Sequence, residues 1–355
     1  MKRGTTMKKA MIGMSGGVDS SVAAYLTLKD GYDCLGMTMQ LYDHAYSVDY
    51  TPGNDAEDAR RVAELLGIPF RVFDLQEDFR TNVIDRFIRT YEEGATPNPC
   101  IDCNKHMKFG KVFELMDELG IDYVVTGHYA QITQENGRWL LKKGLDHSKD
   151  QSYFLYNLTQ EQLSRTLFPL GSMSKAEARQ IAEEQGFINA RKRDSQDICF
   201  VPDGDYVGFI ERCTGKCFPE GDFVDCNGKK LGTHKGCIRY TVGQRKGLGL
   251  ALPAPMYVKE KDMDSNRVIL CSNEELFTTE LDAKDFNWIA FDCPDSSIHC
   301  NARVRYKHTE QPAVVTPTGP DTVHIVFKSP VRAISKGQAV VLYDGDTVIG
   351  GGTIL

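Results

Sequence analysis

The sequence predicts an α/β fold, in which a doubly wound parallel sheet is followed by two small β-rich domains. Short apolar runs alternate with helical patterns through short links over residues 8–126, which is typical of parallel βα units. After about residue 205 the long helical patterns disappear, and glycine, proline and short β-rich runs dominate. Because 355 residues are too many for one core, we predict domains at 1–205, 206–275 and 276–355.

Hydrophobic periodicity defines the elements of the first domain. The predicted strands are residues 8–13, Cys34–Leu41, Phe70–Leu75 and Tyr123–Thr126. The predicted helices are residues 18–30, 55–66, 77–91, a segment that ends at Leu119, 159–165 and 174–186. Gly31 and Gly120 directly follow two of these helices, at the position where glycine commonly ends a helix.

The rest of the chain contains short runs of strand-forming residues, without a long helical pattern between them. These runs are residues 223–233, 237–242, 256–260, 267–271, 302–307, 322–328 and 338–349. We therefore expect a small central β domain and a C-terminal domain that resembles a β-barrel.

The composition is that of an ordinary globular protein, with 41% hydrophobic and 26% charged residues. No apolar run reaches about 18 residues, and Lys8 and Lys9 interrupt the start, so we expect a cytoplasmic protein without a membrane span or secretory signal. The net charge of −7 argues against indiscriminate nucleic-acid binding but permits a local basic face. Eleven cysteines in so long a chain do not indicate a disulfide scaffold.

A glycine pair lies between the first strand and the first helix, in the run Ser15-Gly16-Gly17-Val18-Asp19-Ser20-Ser21. Glycines let backbone N–H groups approach an anion, and the helix N-terminus adds a positive dipole end. The loop lacks the lysine of a Walker A sequence and the spacing of a dinucleotide fingerprint. It resembles the PP-loop of ATP pyrophosphatases, which implies that ATP is used to adenylate an oxygen with release of pyrophosphate. The resemblance places Asp19 near Mg²⁺ on the phosphates.

A second unusual segment is Thr96-Pro97-Asn98-Pro99-Cys100-Ile101-Asp102-Cys103-Asn104-Lys105. Its prolines stiffen the backbone and place two cysteines at the start of the next helix. A thiol at a helix N-terminus, near Lys105 and Lys108, is expected to have a lowered pKa, as a nucleophile requires. The alternative is a zinc half-site completed by Cys213 and Cys217, although their C-x₃-C spacing matches poorly.

Cys199 follows the polar run Asp194-Ser195-Gln196-Asp197-Ile198. By itself such a cysteine is more often part of a core. Together with the first pair it indicates a two-thiol reaction, in which one thiol carries sulfur as a persulfide and the other resolves it through a disulfide.

The ordered set of motifs resembles the tRNA-specific 2-thiouridylase family over nearly the whole chain. The other motifs that support this are Thr126-Gly127-His128-Tyr129, Lys149-Asp150-Gln151-Ser152-Tyr153-Phe154-Leu155, Tyr240-Thr241-Val242-Gly243-Gln244-Arg245-Lys246-Gly247-Leu248-Gly249, Arg303-Val304-Arg305-Tyr306 and Gly337-Gln338. Any one of them is weak, whereas their order along one chain is specific.

The resemblance implies a role for each matching position. Cys103 would be the nucleophile and Cys199 the persulfide carrier. The implied ATP contacts are Gly13, Met14, Ser15, Gly16, Gly17, Val18, Asp19, Ser20, Met39 and Gly127. The implied contacts to the target base are Asn98, Pro99 and Cys100. The implied contacts to the rest of the tRNA are His128, Lys149, Asp150, Gln151, Arg305, Tyr306 and Gln338.

The implied reaction replaces the carbon-2 oxygen of the wobble uridine of tRNA by sulfur. Adenylation turns this oxygen into a leaving group, and persulfide sulfur displaces AMP. The implied partners are tRNA and a persulfide donor, either a cysteine desulfurase or a sulfur-relay protein, and the cofactors are ATP and Mg²⁺. Apart from Mg²⁺ on the nucleotide, we assign no metal site. The target base must leave the anticodon stack, as is common in RNA recognition.

Several alternatives remain open from the sequence. Position 100 is Cys where many family members carry Asp, so the proton chemistry of this base contact is undecided. Three thiols, Cys100, Cys103 and Cys199, also suit an iron–sulfur-dependent thiolase. An adenylating amide-forming ligase would need no cysteine pair, a non-catalytic tRNA-binding protein would need no intact PP-loop, and a zinc-stabilised binding module would contain stoichiometric zinc.

Overall fold

The computed structural model describes residues 7–42, 55–192 and 198–355. Contacts within the chain divide it into two units. Of the described residues, the first unit contains 7–42, 55–83, 100–192, 198–200 and 345–348, and the second contains 84–99, 201–344 and 349–355. Among the described residues no helix is both long and apolar enough to cross a membrane.

A five-stranded parallel sheet organises the first unit. Its strands are β1 (Lys9–Gly13), β2 (Asp33–Gln40), β3 (Phe70–Asp74), β4 (Tyr123–Val125) and β7 (Thr166–Leu167), in the spatial order β3-β2-β1-β4-β7. The chain moves outward from β1 to β3 and then returns to the other side of β1 with β4. In open parallel sheets such a reversal leaves a crevice at the carboxyl ends of the strands, where ligands bind. The predicted doubly wound fold is therefore confirmed.

Helices flank this sheet because their buried faces consist of small and branched apolar residues. The helices of this part of the chain are α1 (Val18–Lys29), α2 (Asp55–Leu66), α3 (Gln76–Phe79), α5 (Pro99–Asp102), α6 (Val112–Leu119), α7 (Gln160–Ser164) and α8 (Lys175–Glu184), with π-helical turns at Arg80–Ile84 and Cys103–Lys111 and a 3₁₀ turn at Ser152–Phe154. In one core cluster Ala23 and Ala24 of α1 lie with Ala178 and Ala182 of α8, all fully buried. Small side chains let the two helices pack closely, which places the start of α8 beside the start of α1.

The sequence prediction missed a hairpin in the first unit. Strands β5 (Ala130–Glu135) and β6 (Arg138–Lys143) are antiparallel and are joined through Asn136 and Gly137, whose φ angles are 51° and 84°. Asn-Gly is the strongest short-range signal for such a turn, because both residues adopt a left-handed backbone readily. Lys142 of β6 also pairs with Thr347.

The central β domain lies in the second unit. Its sheet has the order β10-β11-β8-β9, formed by β8 (Gly221–Asp225), β9 (Lys230–His234), β10 (Tyr257–Asp262) and β11 (Arg267–Cys271). The second unit also contains α4 (Asp85–Glu92) and α9 (Tyr206–Thr214). The helix α9 is absent from our prediction, although Asp205 caps its N-terminus and Gly215 ends it at φ 69°.

The C-terminal domain is a closed barrel, as predicted. Its strands are β12 (Phe277–Trp288), β13 (Ile298–Arg303), β14 (Gln311–Gly319), β15 (Thr322–Arg332), β16 (Ala339–Asp344) and β17 (Thr347–Ile354). They follow the order β12-β15-β14-β13-β16-β17, and an additional β12–β17 pairing closes the ring. Alternate residues such as Val323, Ile325 and Phe327 of β15 are buried, so one face of each strand fills the interior.

Two predicted strand runs differ from the structure. The run 237–242 begins with a 3₁₀ turn at Cys237–Arg239, because Gly236 has φ 105° and its N–H donates to His234 Nδ1 at 3.0 Å. The run 302–307 ends as a strand at Arg303, whose guanidinium donates to the Tyr306 carbonyl and closes a turn. The three-domain division stays a prediction.

Candidate active site

The glycine-pair loop lies at the carboxyl end of β1, where the crevice is expected. Met14 N donates to Met37 O at 2.7 Å, and Thr38 Oγ1 donates to Met14 O at 2.5 Å, so the loop is fixed to β2. Gly16 has φ 70°, and a Cβ at this position would meet Asp55 O at 2.3 Å. Only glycine therefore fits between the loop and the start of α2.

Hydroxyl groups of α1 fold the loop onto the helix N-terminus. Ser20 Oγ and Ser21 Oγ each donate to Gly17 O at 3.0 Å, and Ser15 N donates to Ser20 Oγ at 3.1 Å. The N-cap residue Gly17 supplies no side-chain hydrogen bond to the first helical N–H groups. An uncapped helix start with adjacent serines can bind a phosphate group.

Gly127 lets the end of β4 approach this helix start. A Cβ on Gly127 would lie 2.7 Å from Asp19 C and 2.8 Å from Ser20 N. A Cβ on Gly13 would meet Val125 O at 3.7 Å, an ordinary contact. Met39, which is half-buried near the end of β2, completes the predicted ATP contacts. All of them lie in the first unit and on or next to the loop, β2 or β4, while their contacts to ATP stay predictions.

Lys175 is the residue of this site that the sequence analysis missed. Its Nζ lies 2.8 Å from both carboxylate oxygens of Asp19, and Tyr129 OH donates to Asp19 Oδ1 at 2.9 Å. Lys175 is the first residue of α8, where Ser174 and Glu177 form a capping box. The sequence signal was the capping pattern itself, but only the packing of α8 on α1 shows which residue the lysine meets.

A second lysine that the sequence analysis missed holds the outer side of the loop. Lys192 Nζ donates to Gly16 O at 3.2 Å and forms ion pairs with Asp55 at 2.6 Å and Asp58 at 2.9 Å. Asn189 Nδ2 donates to the same carbonyl at 3.0 Å. These contacts satisfy the Gly16 carbonyl, so the loop can direct N–H groups rather than carbonyl oxygens toward a ligand.

The first pair of thiols lies where the prolines were expected to place it. Pro99 begins α5, so that Cys100 and Cys103 occupy the first turn of a helical segment that continues through Cys103–Lys111 to Leu119. Burial raises the pKa of Cys103 to about 11 and also raises that of Cys100, while Lys108 lowers both. The predicted lowering of the thiol pKa is therefore wrong for this conformation, because the loss of hydration outweighs the nearby lysine.

Cys199 is brought to this pair from the far end of the unit. Its carbonyl accepts a hydrogen bond from Tyr42 OH at 2.8 Å, and its neighbour Phe200 packs edge-on against Phe79 with ring centroids 5.7 Å apart. Burial, with a smaller contribution from the neighbouring Cys103 and Cys100 thiols, raises the pKa of Cys199 to about 12. Cys199 and Cys100 are nevertheless solvent-accessible, and Cys103 is partly so. The three thiols therefore lie close enough to one another to interact electrostatically.

The described residues include all eleven cysteines and contain no disulfide. They also contain no group of three or more His, Cys, Asp or Glu side chains arranged to hold a metal ion. The segment 193–197, which includes Asp194-Ser195-Gln196-Asp197 of the second thiol motif, lies outside the described residues.

Three of the predicted tRNA contacts form hydrogen bonds within the first unit in this structure. His128 is buried, its Nδ1 lies 2.7 Å from Thr126 Oγ1, and burial lowers its pKa well below the usual value, so the ring is neutral. Asp150 is 3% exposed and accepts hydrogen bonds from Gly144 N and Ser152 N. Gln151 Oε1 accepts from Tyr129 N at 3.0 Å. Lys149 is half-exposed.

The remaining predicted contacts lie in the second unit. Arg305 Nη2 donates to Val242 O at 3.1 Å and Ala333 O at 2.9 Å. Gln338 Nε2 donates to the carbonyls of Thr96 at 2.8 Å and Pro97 at 3.1 Å. Gln338 therefore fixes the segment that leads into the base-contact residues. The other members of the predicted set in this unit are Asn98, Pro99 and Tyr306. Their contacts to RNA stay predictions.

Comparison with known proteins adds sequence evidence along the whole chain. The family model described as the tRNA methyl transferase HUP domain matches residues 8–203. Models described as the tRNA methyl transferase PRC-barrel domain and the aminomethyltransferase beta-barrel domain match residues 208–272 and 278–354.

Curated relatives match over nearly their full lengths. The tRNA-specific 2-thiouridylase MnmA of Clostridioides difficile (strain 630) is 50% identical, covering 98% of each chain. The protein of the same name from Lachnoclostridium phytofermentans is 47% identical, covering 98% of this chain and 100% of the relative. A solved structure, the U34-tRNA thiolase NcsA from Methanococcus maripaludis with its 4Fe-4S cluster, is 18% identical over 59% of this chain and 67% of that chain, with a TM-score of 0.37 too low for any argument. Because these curated relatives are 50% and 47% identical over 98% of this chain, the chain belongs to the tRNA-specific 2-thiouridylase family.

Proposed function

We propose that this protein is an ATP-dependent tRNA uridine 2-sulfurtransferase that acts on the wobble uridine. The observation that carries the proposal is the assembly of the first unit, in which an uncapped PP-loop and three gathered thiols occur together. An adenylating ligase does not require the thiols, and a thiol relay alone does not require the PP-loop. Family membership supports the substrate and the position of the sulfur. A cytoplasmic location remains part of the proposal.

The PP-loop would bind the triphosphate of ATP through backbone N–H groups at the start of α1. Asp19 suits a magnesium ion carried by the nucleotide, because its carboxylate already faces a cation, the Lys175 ammonium, at 2.8 Å. Magnesium prefers one carboxylate together with phosphate oxygens. When bound, the ion would neutralise charge on the triphosphate, while the loop orients the α-phosphate toward the uridine oxygen.

The sulfur step requires two thiols that lie close together, as Cys103 and Cys199 do. A donor first places a sulfur atom on Cys199 as a persulfide. The outer sulfur forms a bond to carbon 2 of the adenylated uridine, and AMP leaves with the former carbonyl oxygen. The Cys103 thiolate then attacks the Cys199 sulfur, so that the persulfide S–S bond breaks and 2-thiouridine is released. The resulting Cys103–Cys199 disulfide needs a two-electron thiol reductant before the next turnover.

The surroundings of Cys103 and Cys199 disfavour their reactive thiolate forms in the resting enzyme. The raised pKa values keep Cys103 and Cys199 protonated at neutral pH. Lys108 is the nearby cation that lowers both values, so it would stabilise the thiolate when a proton is removed. A thiol held neutral in the resting enzyme is protected from unproductive oxidation.

Cys100 supports a second candidate mechanism, an iron–sulfur-dependent thiolation. It lies one helical turn from Cys103, and both interact electrostatically with Cys199. The part of the chain that the structure describes does not arrange these thiols as a metal-binding group, so we derive no step through a cluster. Iron and sulfide analysis after anaerobic purification distinguishes the two mechanisms, since only the cluster mechanism predicts stoichiometric iron.

The test is nucleoside mass spectrometry of unmodified tRNA after incubation with the protein, Mg-ATP and a persulfide donor. We expect 2-thiouridine with the wild type, and none when ATP is omitted or when Cys103 or Cys199 is changed to Ser. Cys217→Ser is the matched control, because Cys217 is exposed and belongs to the second unit, whereas Cys103 and Cys199 belong to the first. Normal thiolation by both Cys103→Ser and Cys199→Ser would falsify the two-thiol mechanism.

A further inference from the structure

The ion pair between Lys175 and Asp19 holds a cation of the protein against the carboxylate that is proposed to bind magnesium. The ammonium lies 2.8 Å from both oxygens of Asp19, and the lysine side chain is only 12% exposed whereas that of Asp19 is 32% exposed. A lysine is rarely buried to this extent without a specific partner. Its partner is the one carboxylate of the glycine-pair loop.

The backbone of Lys175 is fixed, so only its side chain can move. Ser174 caps α8 and Glu177 completes a capping box, while Lys175 N donates to Asp146 Oδ2 at 3.1 Å. The lysine stem therefore starts from a rigid helix end, and rotations about its side-chain bonds determine where the ammonium lies. A second cation-binding surface is close, because the Tyr129 ring centroid is 5.9 Å from Nζ.

The surroundings of the pair favour an anion. Asp19 lies in the first turn of α1, whose N-terminus has no side-chain cap, and the N–H groups there carry partial positive charge. A polyphosphate at this position would meet an ammonium that Asp19 holds in advance. Once a divalent cation accompanies the polyphosphate, Asp19 becomes its ligand, and the ammonium must leave the carboxylate.

We propose that Lys175 is a mobile cation that occupies the divalent-cation position on Asp19 in the resting enzyme and moves to the polyphosphate of ATP when Mg²⁺ binds. The lysine then has two opposing effects. It competes with Mg²⁺ for Asp19, and it adds an attractive contact to the triphosphate and to the departing pyrophosphate. Tyr129 OH, 2.9 Å from Asp19 Oδ1, keeps the carboxylate oriented during the exchange. This inference rests on the nucleotide site of the proposed function.

The test measures equilibrium binding of a non-hydrolysable ATP analogue across a Mg²⁺ titration. For Lys175→Met we expect the affinity without Mg²⁺ to fall at least about tenfold, the usual effect of losing a charge-assisted contact. The Mg²⁺ concentration that gives half of the maximal effect should fall several-fold, because no ammonium competes for Asp19. A merely structural role for the lysine predicts no decrease in this concentration.

Two further variants keep the test decisive if Lys175→Met folds poorly. Lys175→Arg keeps the cation and should raise the required Mg²⁺ concentration, because a guanidinium pairs with a carboxylate through two parallel bonds. Asp19→Asn releases the ammonium and should strengthen analogue binding without Mg²⁺. Lys111→Met is the matched control, since Lys111 pairs with Asp78 and Glu114 away from the loop.

The outcomes separate this inference from the proposed function. An unchanged or raised Mg²⁺ requirement in Lys175→Met overturns the exchange, as does a wild type that binds no analogue. Weaker binding of the analogue without Mg²⁺ in Lys175→Met, together with stronger binding in Asp19→Asn, supports the exchange even if the protein produces no 2-thiouridine. In that case the proposed function alone fails. Thiolation with an unchanged Mg²⁺ requirement leaves the function standing and rejects the exchange.

Discussion

The contact between Gly127 and the start of α1 gives a quantitative test of the nucleotide site. In Gly127→Ala the new Cβ would lie 2.7 Å from Asp19 C and 2.8 Å from Ser20 N, both backbone atoms. The gap must open by about 0.7 Å to reach an ordinary 3.4 Å contact, and no flexible side chain can absorb this shift. Overpacking of this kind costs about 1–3 kcal/mol in the free energy of unfolding. For a unit of this size that is a decrease of about 2–12 °C in Tm.

Gly13→Ala is the matched control for stability alone, because its Cβ would meet Val125 O at 3.7 Å and Thr126 Cγ2 at 3.9 Å without displacement, whereas Gly13 is itself a predicted ATP contact. The assay combines thermal unfolding with equilibrium binding of an ATP analogue in the presence of Mg²⁺. We expect Gly127→Ala to lose both stability and at least about tenfold in affinity, since the displaced atoms belong to Asp19 and Ser20, which we propose to face the phosphates. Equal thermal stability of the two alanine variants would refute the geometry of the loop described above.

Three further predictions concern the thiols and the segment before them. In single turnover, Cys199→Ser should block sulfur transfer and AMP release but still form pyrophosphate and adenylated tRNA from ATP and tRNA, which quench-flow measurement of pyrophosphate checks. Loss of pyrophosphate formation would contradict separate adenylation and sulfur steps. Because burial raises the pKa of Cys103 to about 11, the rate of disulfide formation, measured by stopped flow, should increase as pH rises toward that value. Lys108→Met should shift this pH–rate profile to higher pH, because Lys108 lowers the pKa of Cys103. A rate that does not change with pH would contradict this. Gln338→Leu removes donors to the carbonyls of Thr96 and Pro97, so we expect lower kcat with little change in ATP affinity, whereas an effect on tRNA binding alone would favour direct contact with RNA.

The same thiol predicts a direction for stability. The pKa of Cys103 is raised from about 9 to about 11 in the folded protein, so the folded state favours the neutral thiol. Its contribution to stability is fully present below pH 9 and is lost as pH rises through about 11. The free energy of unfolding of Cys103→Ser, measured with a chemical denaturant, should therefore decrease less than that of the wild type over this pH interval.

Local patterns in the sequence were enough to predict the nucleotide loop and its sheet. The alternation of apolar strands and helices gave the parallel sheet, and Gly16 and Gly17 gave a loop whose shape only glycine allows. Pro99 likewise predicted the helix start that carries Cys100 and Cys103. In each case one short segment contains the whole physical reason, so no knowledge of distant contacts is needed.

Features that depend on distant segments escaped the prediction. Lys175 meets Asp19 only because Ala178 and Ala182 pack α8 on α1, and no local pattern indicates that pairing. The pKa of Cys103 was predicted with the wrong sign because the helix dipole and Lys108 are visible in the sequence, whereas burial is not. The β5–β6 hairpin differs, since its Asn136-Gly137 turn was a readable local signal that we did not use.

The central claim is that the carbon-2 oxygen of the uridine leaves with AMP. The direct measurement uses tRNA with ¹⁸O at this position of the wobble uridine, incubated with the protein, Mg-ATP and a persulfide donor, followed by mass spectrometry of the AMP. We expect the AMP phosphate to contain the label in proportion to the 2-thiouridine formed. Unlabelled AMP alongside 2-thiouridine would contradict adenylation of the base oxygen and remove the PP-loop from the chemical step.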